Sequence, residues 1–185
     1  MYLSAHHGFF NDGFVKLVEK EAESVEASDG SVNVNNSGLQ HEVDKELRRS
    51  KVRFLNAPNI RNALWEFVSR VNAERYGFDV WNVADLQYTE YHAENEGHYD
   101  WHTDDSVCTG EPRFRCRKLS VIVQLSDPKD YRGGQFEMQN ISLPNEIKEK
   151  GTILVFPSWE WHRITPVRHG VRKSLVAWFE GPNWR

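Results

Sequence analysis

Cysteine is scarce in this sequence, with Cys108 and Cys116 the only two among 185 residues. Two cysteines cannot form the disulfide framework of a small secreted domain. A bond between them is geometrically possible, but we expect a reduced pair in an intracellular protein. A chain of this length can bury a core without disulfides, so we expect a single domain over residues 1–185.

Other features are also missing. No apolar run approaches the roughly 20 residues of a membrane span, and the N-terminus lacks the basic start and apolar stretch of a secretory signal. Basic residues do not outnumber acidic ones, 23 against 27, which argues against general nucleic-acid affinity. These absences predict a cytoplasmic protein with neither a membrane nor a nucleic-acid partner, and they leave the oligomeric state open.

Two helices are predicted before residue 80. The first covers residues 12–27, with Asp12 as its N-cap and apolar residues near one face. The second is capped by Asn59, carries an apolar stripe with helical spacing, and stops at Gly77.

The remaining N-terminal segments are polar. Residues 28–38 are rich in Gly, Ser and Asn and predict a loop. Residues 48–55 alternate towards their end and predict a strand. We interpret its four basic residues as a solvated face, with contact to an acidic partner as the alternative. Residues 1–80 are thus expected to be a helical support.

From about residue 80 the hydrophobic pattern alternates instead. Turn residues separate short strands and no helix intervenes, which favours a jelly roll, a double-stranded β-helix, over residues 81–185. The fold class is then mainly β, with N-terminal helices packed on one sheet. The predicted strands are 84–91, 98–104, 118–125, 134–139, 152–156, 162–167 and 172–179.

A candidate metal site lies at the second of these strands. In an extended segment, His102 and Asp104 project from the same side, although two such residues in a surface turn are a common alternative. His162, in a later strand, supplies a third ligand. Two histidines and one carboxylate on one face are typical of non-haem Fe(II) oxygenases, and this set favours six-coordinate iron over tetrahedral zinc.

A basic residue accompanies these ligands. Arg172 lies ten positions after His162, and an antiparallel hairpin of that length would return it to the metal site. Its guanidinium suits a carboxylate, which indicates the distal carboxylate of 2-oxoglutarate. Arg163 and Arg168 are competitors for the role.

With these residues in place, the sequence resembles a known family. The pattern His-x-Asp…His…Arg, formed by His102, Asp104, His162 and Arg172, resembles that of the Fe(II)/2-oxoglutarate-dependent dioxygenases. The run from Tyr91 to Asp104, the Gly133-Gly134 turn and the stretch 151–157 are similar to the prolyl 4-hydroxylase-like branch. The N-terminal part, including residues 48–55, resembles the helical front of its small bacterial and phage members. The resemblance covers about residues 84–180.

The resemblance implies roles for individual residues. His102, Asp104 and His162 would bind Fe(II), and Arg172 would hold 2-oxoglutarate together with the Tyr91 hydroxyl. Tyr91 departs by one position from the usual spacing, so His92 is its rival. O2 is the second co-substrate, and ascorbate stays open as an additional cofactor.

The substrate side is less specified. Tyr99 and Trp178 are expected to face substrate, with core packing as the alternative for Trp178. The polar insertion between Asp105 and Arg117 is interpreted as a lid whose Arg113 and Arg115 contact substrate, unless they are merely solvated.

These features together predict a dioxygenase that hydroxylates prolyl residues of a peptide or protein, releasing succinate and CO2. A hydroxylase of free amino acids or small molecules with the same cofactors is the first alternative. A non-catalytic, cupin-like binding module is the second.

Overall fold

The computed structural model of the protein describes residues 3–33, 41–105 and 115–184. Two α-helices, α1 (Asp12–Glu23) and α2 (Pro58–Arg75), precede most of the strands. The strands of the described residues are β1 (Ser4–His6), β2 (Ser28–Asp29), β3 (Val32–Asn33), β4 (His41–Glu42), β5 (Arg48–Arg49), β6 (Lys51–Phe54), β7 (Asn82–His92), β8 (His98–His102), β9 (Arg115–Gln124), β10 (Tyr131–Gly133), β11 (Phe136–Met138), β12 (Ile153–Pro157), β13 (His162–Ile164) and β14 (Val167–Pro182).

Both predicted helices form, but their caps differ from the prediction. Asn11, not Asp12, caps α1, because its side-chain oxygen accepts a hydrogen bond from the Phe14 amide at 3.0 Å. Helix α2 starts at Pro58, one residue before Asn59, and has no side-chain cap. Proline suits the first helical position because the amide that it lacks would have no partner there.

The strands form two principal antiparallel sheets. Within the described residues, the larger sheet has the order β1-β12-β9-β14-β7-β6-β2, with β10 also paired to β14. The smaller sheet has the order β11-β13-β8-β5. The strands β7, β8 and β9, and again β11 to β14, alternate between the two sheets, as in a double-stranded β-helix. The predicted jelly roll is therefore confirmed.

The two helices pack on the outer face of the larger sheet. Val18 of α1 and Leu64 of α2 are fully buried against sheet residues such as Leu119 and Val123. The predicted packing of the N-terminal helices on one sheet is therefore confirmed, and it leaves the opposite face of that sheet for the site.

A second apolar cluster fills the space between the sheets. It includes Ile122 and Leu154 from the larger sheet and Ile164 from the smaller one. Alternation places Val121 and Val123 towards the helices and Ile122 towards this second cluster. In β14 the same alternation turns Arg172 and Trp178 inwards, away from the helices.

The N-terminal part also contributes strands, in addition to its helices. The single strand predicted over residues 48–55 is wrong, because the segment divides at Ser50: β5 pairs with β8 in the smaller sheet, and β6 pairs with β7 in the larger one. The loop predicted over residues 28–38 contains β2 and β3, and its residues 34–38 lie outside the described residues. No helix in the described part of the chain is long and apolar enough to cross a membrane.

Candidate metal centre and adjoining pocket

Strand pairing brings the three predicted metal ligands together. His102 at the end of β8 lies directly opposite His162 at the start of β13, and Asp104 follows two residues after β8. The potential ligand atoms of the three residues all lie within 4.8 Å of one another. Asp104 is 3.9 Å from Nε2 of His102 and 3.6 Å from Nε2 of His162.

Both imidazoles are held in the orientation that a metal needs. Nδ1 of His102 lies 2.7 Å from the Asp100 carbonyl oxygen, and Nδ1 of His162 lies 2.8 Å from that of Glu160. A carbonyl oxygen only accepts, so each Nδ1 carries the proton and each Nε2 presents a lone pair towards Asp104. This backbone bond is the usual support of a metal-binding histidine.

The electrostatics of the cluster favour the metal-binding protonation states. Burial, and after it the closeness of a second imidazole at His162, lowers the pKa of His102 to about 3. Burial by itself would raise the pKa of Asp104, but His162, His102 and Arg117, with a hydrogen bond from Ser120, lower it to about 2. Neither His102 nor Asp104 has to lose a proton at neutral pH before it binds a cation.

This donor set fits Fe(II). Two neutral imidazole nitrogens and one anionic oxygen converge from one side and belong to buried or largely buried side chains. Three protein ligands on one side leave the opposite coordination positions free for small molecules.

An aromatic ring packs against the imidazole of His102. The Tyr99 ring is stacked on the His102 imidazole with centroids 3.5 Å apart and planes 12° from parallel. The guanidinium carbon of Arg48 lies 4.5 Å from the Tyr99 centroid. Arg48 is buried, so the solvated interpretation of this basic stretch is wrong for Arg48, while Lys51 is exposed.

Arg172 is placed on the wall of the larger sheet that faces the ligands. It is 1% exposed, and its guanidinium donates to Oε1 of Gln124 at 2.9 Å and to Ser174 at 3.4 Å. The route to the site differs from the predicted hairpin, because β13 and β14 lie in different sheets and are not paired. Arg172 therefore reaches the pocket across the space between the sheets.

Tyr91 and His92, the two candidates for a role beside Arg172, point to opposite faces of the sheet because side chains alternate along β7. Tyr91 is the cross-strand neighbour of Arg172, is buried and lines the pocket. Burial raises the pKa of Tyr91, so its hydroxyl keeps its proton and is a donor. His92 points the other way, with Nε2 3.7 Å from the Glu90 carboxylate.

The competing arginines also lie elsewhere. Arg163 pairs with Glu137 at 2.8 Å, and Arg168 pairs with Glu96. Neither lines the pocket that contains the metal ligands.

The same pocket includes predicted substrate residues and two that the sequence did not indicate. Tyr99 and Trp178 line it, together with Arg48 and Arg117. The Arg117 guanidinium carbon lies 3.9 Å from the Trp178 ring centroid. Plain alternation gave no signal for Arg117, because positions 117 and 122 have opposite parity and would place Arg117 on the face opposite to Ile122. The register shift between Leu119 and Arg117 reverses this, and it appears only in the structure.

The predicted lid falls largely outside the described residues, and Arg113 belongs to that part. Arg115 begins β9, where its backbone is opposite Pro182, and its side chain lies outside the described residues. Cys116 is disulfide-bonded, so the expected reduced state is wrong for this residue; Cys108 is not among the described residues. Spacing along a sequence does not report the distance on which a disulfide depends.

Comparison with known proteins relates this chain to a protein family. Residues 86–180 match the model of the 2OG-Fe(II) oxygenase superfamily. A PKHD-type hydroxylase of Synechococcus sp. (strain CC9311) is 38% identical over 88 residues, which cover 47% of this chain and 38% of that protein. A PKHD-type hydroxylase of Hyphomonas neptunium is 36% identical over 84 residues, covering 44% of this chain and 37% of the relative. The chain thus spans less than half the length of these curated relatives.

Solved structures share the fold at low sequence identity. A Pseudomonas putida prolyl-4-hydroxylase aligns with a TM-score of 0.69 and 16% identity, covering 98% of this chain and 93% of that one. A prolyl hydroxylase from Trichoplax adhaerens, in complex with a hypoxia inducible factor peptide fragment, aligns with a TM-score of 0.73 and 16% identity. The alignment covers 96% of this chain and 82% of that one.

The matched segment runs from β7 to β14 and contains all three candidate ligands and Arg172. It covers just over half of the chain. The chain belongs to the 2OG-Fe(II) oxygenase superfamily.

Proposed function

We propose that this protein is an Fe(II)- and 2-oxoglutarate-dependent dioxygenase that hydroxylates prolyl residues in a peptide or protein. The observation that carries the proposal is the Arg172 guanidinium, which is buried opposite the three-ligand cluster and, among the described residues, forms no ion pair. A buried charge without a counter-charge is unfavourable. A small dicarboxylate that also reaches the metal would compensate it.

In this proposal, His102, Asp104 and His162 hold the iron. Bound there, Fe(II) supplies the oxygen-activating chemistry that converts 2-oxoglutarate and O2 into succinate and CO2 while substrate is hydroxylated. The protein contributes the geometry: the two Nδ1 bonds orient the imidazoles, and the Asp104 carboxylate stays ionised in a buried site.

Arg172 and Tyr91 are proposed to hold the distal carboxylate of 2-oxoglutarate. Gln124 is a neutral partner that fixes the guanidinium without cancelling its charge. The cross-strand position of Tyr91 puts a phenol donor on the same wall. An arginine and a hydroxyl donor together match the acceptor oxygens of a carboxylate.

The proposal of a polypeptide substrate is supported by the related proteins and by the residues of the pocket wall. The relatives that match in sequence are PKHD-type hydroxylases, and two of the solved structures with this fold are prolyl hydroxylases, one holding a peptide fragment. Tyr99 and Trp178 offer aromatic faces to a pyrrolidine ring, and Arg48 and Arg117 offer donors for peptide carbonyl oxygens.

The test is a hydroxylation assay with a defined control. Protein with Fe(II), 2-oxoglutarate and O2 is incubated with a library of proline-containing peptides and, separately, with free amino acids. We expect succinate formation coupled to the addition of one oxygen atom to a prolyl residue, and its loss in His162→Ala.

The outcomes separate the alternatives. Oxygen addition to free amino acids alone would replace the substrate class and keep the cofactors. Binding of 2-oxoglutarate with no succinate from any substrate would favour a binding module and contradict the proposal.

A further inference from the structure

Asp104 is the candidate ligand that no strand holds in place. The two histidines belong to β8 and β13 and face each other in register, whereas Asp104 follows the end of β8. Its backbone is fixed from elsewhere, because the amides of Asp104 and Asp105 both donate to the Ser158 carbonyl oxygen, at 2.8 and 3.1 Å. Ser158 lies in the connection between β12 and β13.

The carboxylate of Asp104 is held by a second serine. The Ser120 hydroxyl, from β9, donates to Oδ2 of Asp104 at 2.6 Å. The Ser158 hydroxyl lies 3.0 Å from that of Ser120. A carboxylate only accepts, so the Ser120 hydroxyl donates its hydrogen bond to Asp104. Ser120 in turn accepts a hydrogen bond from the Ser158 hydroxyl.

This chain of hydroxyls has no contact with solvent. Ser120 and Ser158 are both 0% exposed. A hydrogen bond to an ionised acceptor is stronger than a neutral one, and it orients the acceptor more firmly in a dry environment. The chain connects Asp104 to β9 of the larger sheet and to the connection that leads to His162.

We propose that Ser120 is a positioning residue for the metal centre, and that Ser158 in turn orients Ser120. The Ser120 hydroxyl engages one carboxylate oxygen and fixes the rotation of the group, so that the carboxylate meets the cation in a single orientation. This inference rests on the proposed function, since it requires that the three-ligand cluster binds a metal.

A purely structural role for Ser120 makes a different prediction. Removing an ordinary buried hydroxyl lowers the free energy of unfolding but leaves the metal affinity of the folded protein unchanged. Removing a hydrogen bond that orients a ligand weakens metal binding about 10- to 100-fold.

The experiment measures anaerobic Fe(II) affinity by calorimetric titration for the wild type, Ser120→Ala, Ser158→Ala and Ser126→Ala. Ser126 is the matched control, because it is also a largely buried serine with two hydrogen bonds, to the Val171 carbonyl and from the Lys173 amide. Circular dichroism and the unfolding midpoint of the metal-free proteins report whether each variant is folded.

We expect a Kd for Fe(II) about 10- to 100-fold weaker in Ser120→Ala, a smaller loss in Ser158→Ala and wild-type affinity in Ser126→Ala. If Ser120→Ala does not fold, the Fe(II) affinity of Ser120→Cys is measured instead, because a thiol is a weak donor of similar size. Wild-type affinity in a folded Ser120 variant would overturn this inference alone, whereas absence of Fe(II) binding by the wild type would overturn the proposed function as well.

Discussion

Arg172 is a positive charge in the protein interior whose hydrogen-bond partners, Gln124 and Ser174, are both neutral. Its neighbour Tyr91 contributes an aromatic ring, with the guanidinium carbon 5.6 Å from the ring centroid. Such an arrangement does little to stabilise the free protein, because desolvation of the guanidinium is not offset by a nearby anion. Its value lies in binding an anion.

Replacing Arg172 should therefore separate binding from stability. In Arg172→Met we expect the affinity for 2-oxoglutarate to fall at least about 30-fold, which corresponds to 2 kcal/mol or more for a buried charge pair. The metal-free variant should unfold at no lower denaturant concentration than the wild type, since the unpaired charge is gone.

The measurements are the Kd for 2-oxoglutarate with metal bound and the urea midpoint without ligand. Arg168→Gln is the matched control, because Arg168 lies in the same strand but is exposed and pairs with Glu96. Equal 2-oxoglutarate affinity in Arg172→Met and Arg168→Gln would exclude the proposed role of Arg172.

His102 should make the metal-free protein sensitive to acid. Its pKa is lowered from 6.5 to about 3 in the folded chain, chiefly by burial. Between these two values the unfolded chain binds a proton that the folded chain does not, so stability falls as the pH falls through this window. Above 6.5 both states are neutral at this residue and the contribution vanishes.

The measurement is the free energy of unfolding of metal-free protein between about pH 7 and pH 5, where one proton changes stability by up to about 1.4 kcal/mol per pH unit. We expect a shallower slope in His102→Asn than in the wild type. Asn59→Ala, which removes no titratable group at an exposed position, should keep the wild-type slope. Identical slopes in all three proteins would contradict the lowered pKa.

At the scale of secondary structure, helix α2 supports the larger sheet but contributes no residue to the pocket. Its buried face packs on the side of the larger sheet opposite the pocket, and none of its residues lines that pocket. Mutations in this face should change stability without changing metal binding.

Leu64→Ala tests this separation. Leu64 is fully buried, and such a truncation lowers the free energy of unfolding by about 2–5 kcal/mol. Fe(II) affinity at a temperature where the variant is folded should equal that of the wild type. Glu66→Ala, on the exposed side of α2, should change neither quantity, and a loss of Fe(II) affinity in Leu64→Ala would show that helix packing and the metal site are coupled.

The strands show what the sequence could and could not predict. The period-two alternation indicated that His102 and Asp104 share a face, and both line one pocket with Arg172 and Trp178. Trp178 was expected there only from the family resemblance. Alternation carries no information on which sheet a strand joins. For that reason the hairpin expected between His162 and Arg172 is wrong, although both residues line the pocket.

Contacts between distant segments account for the other misses. The basic stretch around Arg48 looks solvated, yet Arg48 is buried because Tyr99, Ser50 and the Ser31 carbonyl surround it. Similarly, Ser120 and Ser158 are ordinary serines in sequence, 38 positions apart. Their connection to Asp104 exists only after β9 and β12 have paired.

At the scale of the whole molecule, the site is assembled from both sheets. The smaller sheet supplies the two histidines and Tyr99, while the larger sheet supplies Arg172 and Tyr91. A metal bound on one wall and an anion bound on the other would hold the sheets at a fixed distance. Metal and 2-oxoglutarate should therefore bind cooperatively, each increasing the affinity for the other.

The measurement that tests this arrangement most directly is anaerobic calorimetric titration of 2-oxoglutarate into the protein with and without Fe(II), repeated with Asp104→Ala. We expect one 2-oxoglutarate per chain in the presence of Fe(II), with affinity much reduced without the metal and in the variant. Failure of the Fe(II)-loaded wild type to bind 2-oxoglutarate, or equal affinity with and without Fe(II), would contradict a centre in which metal and Arg172 share one ligand.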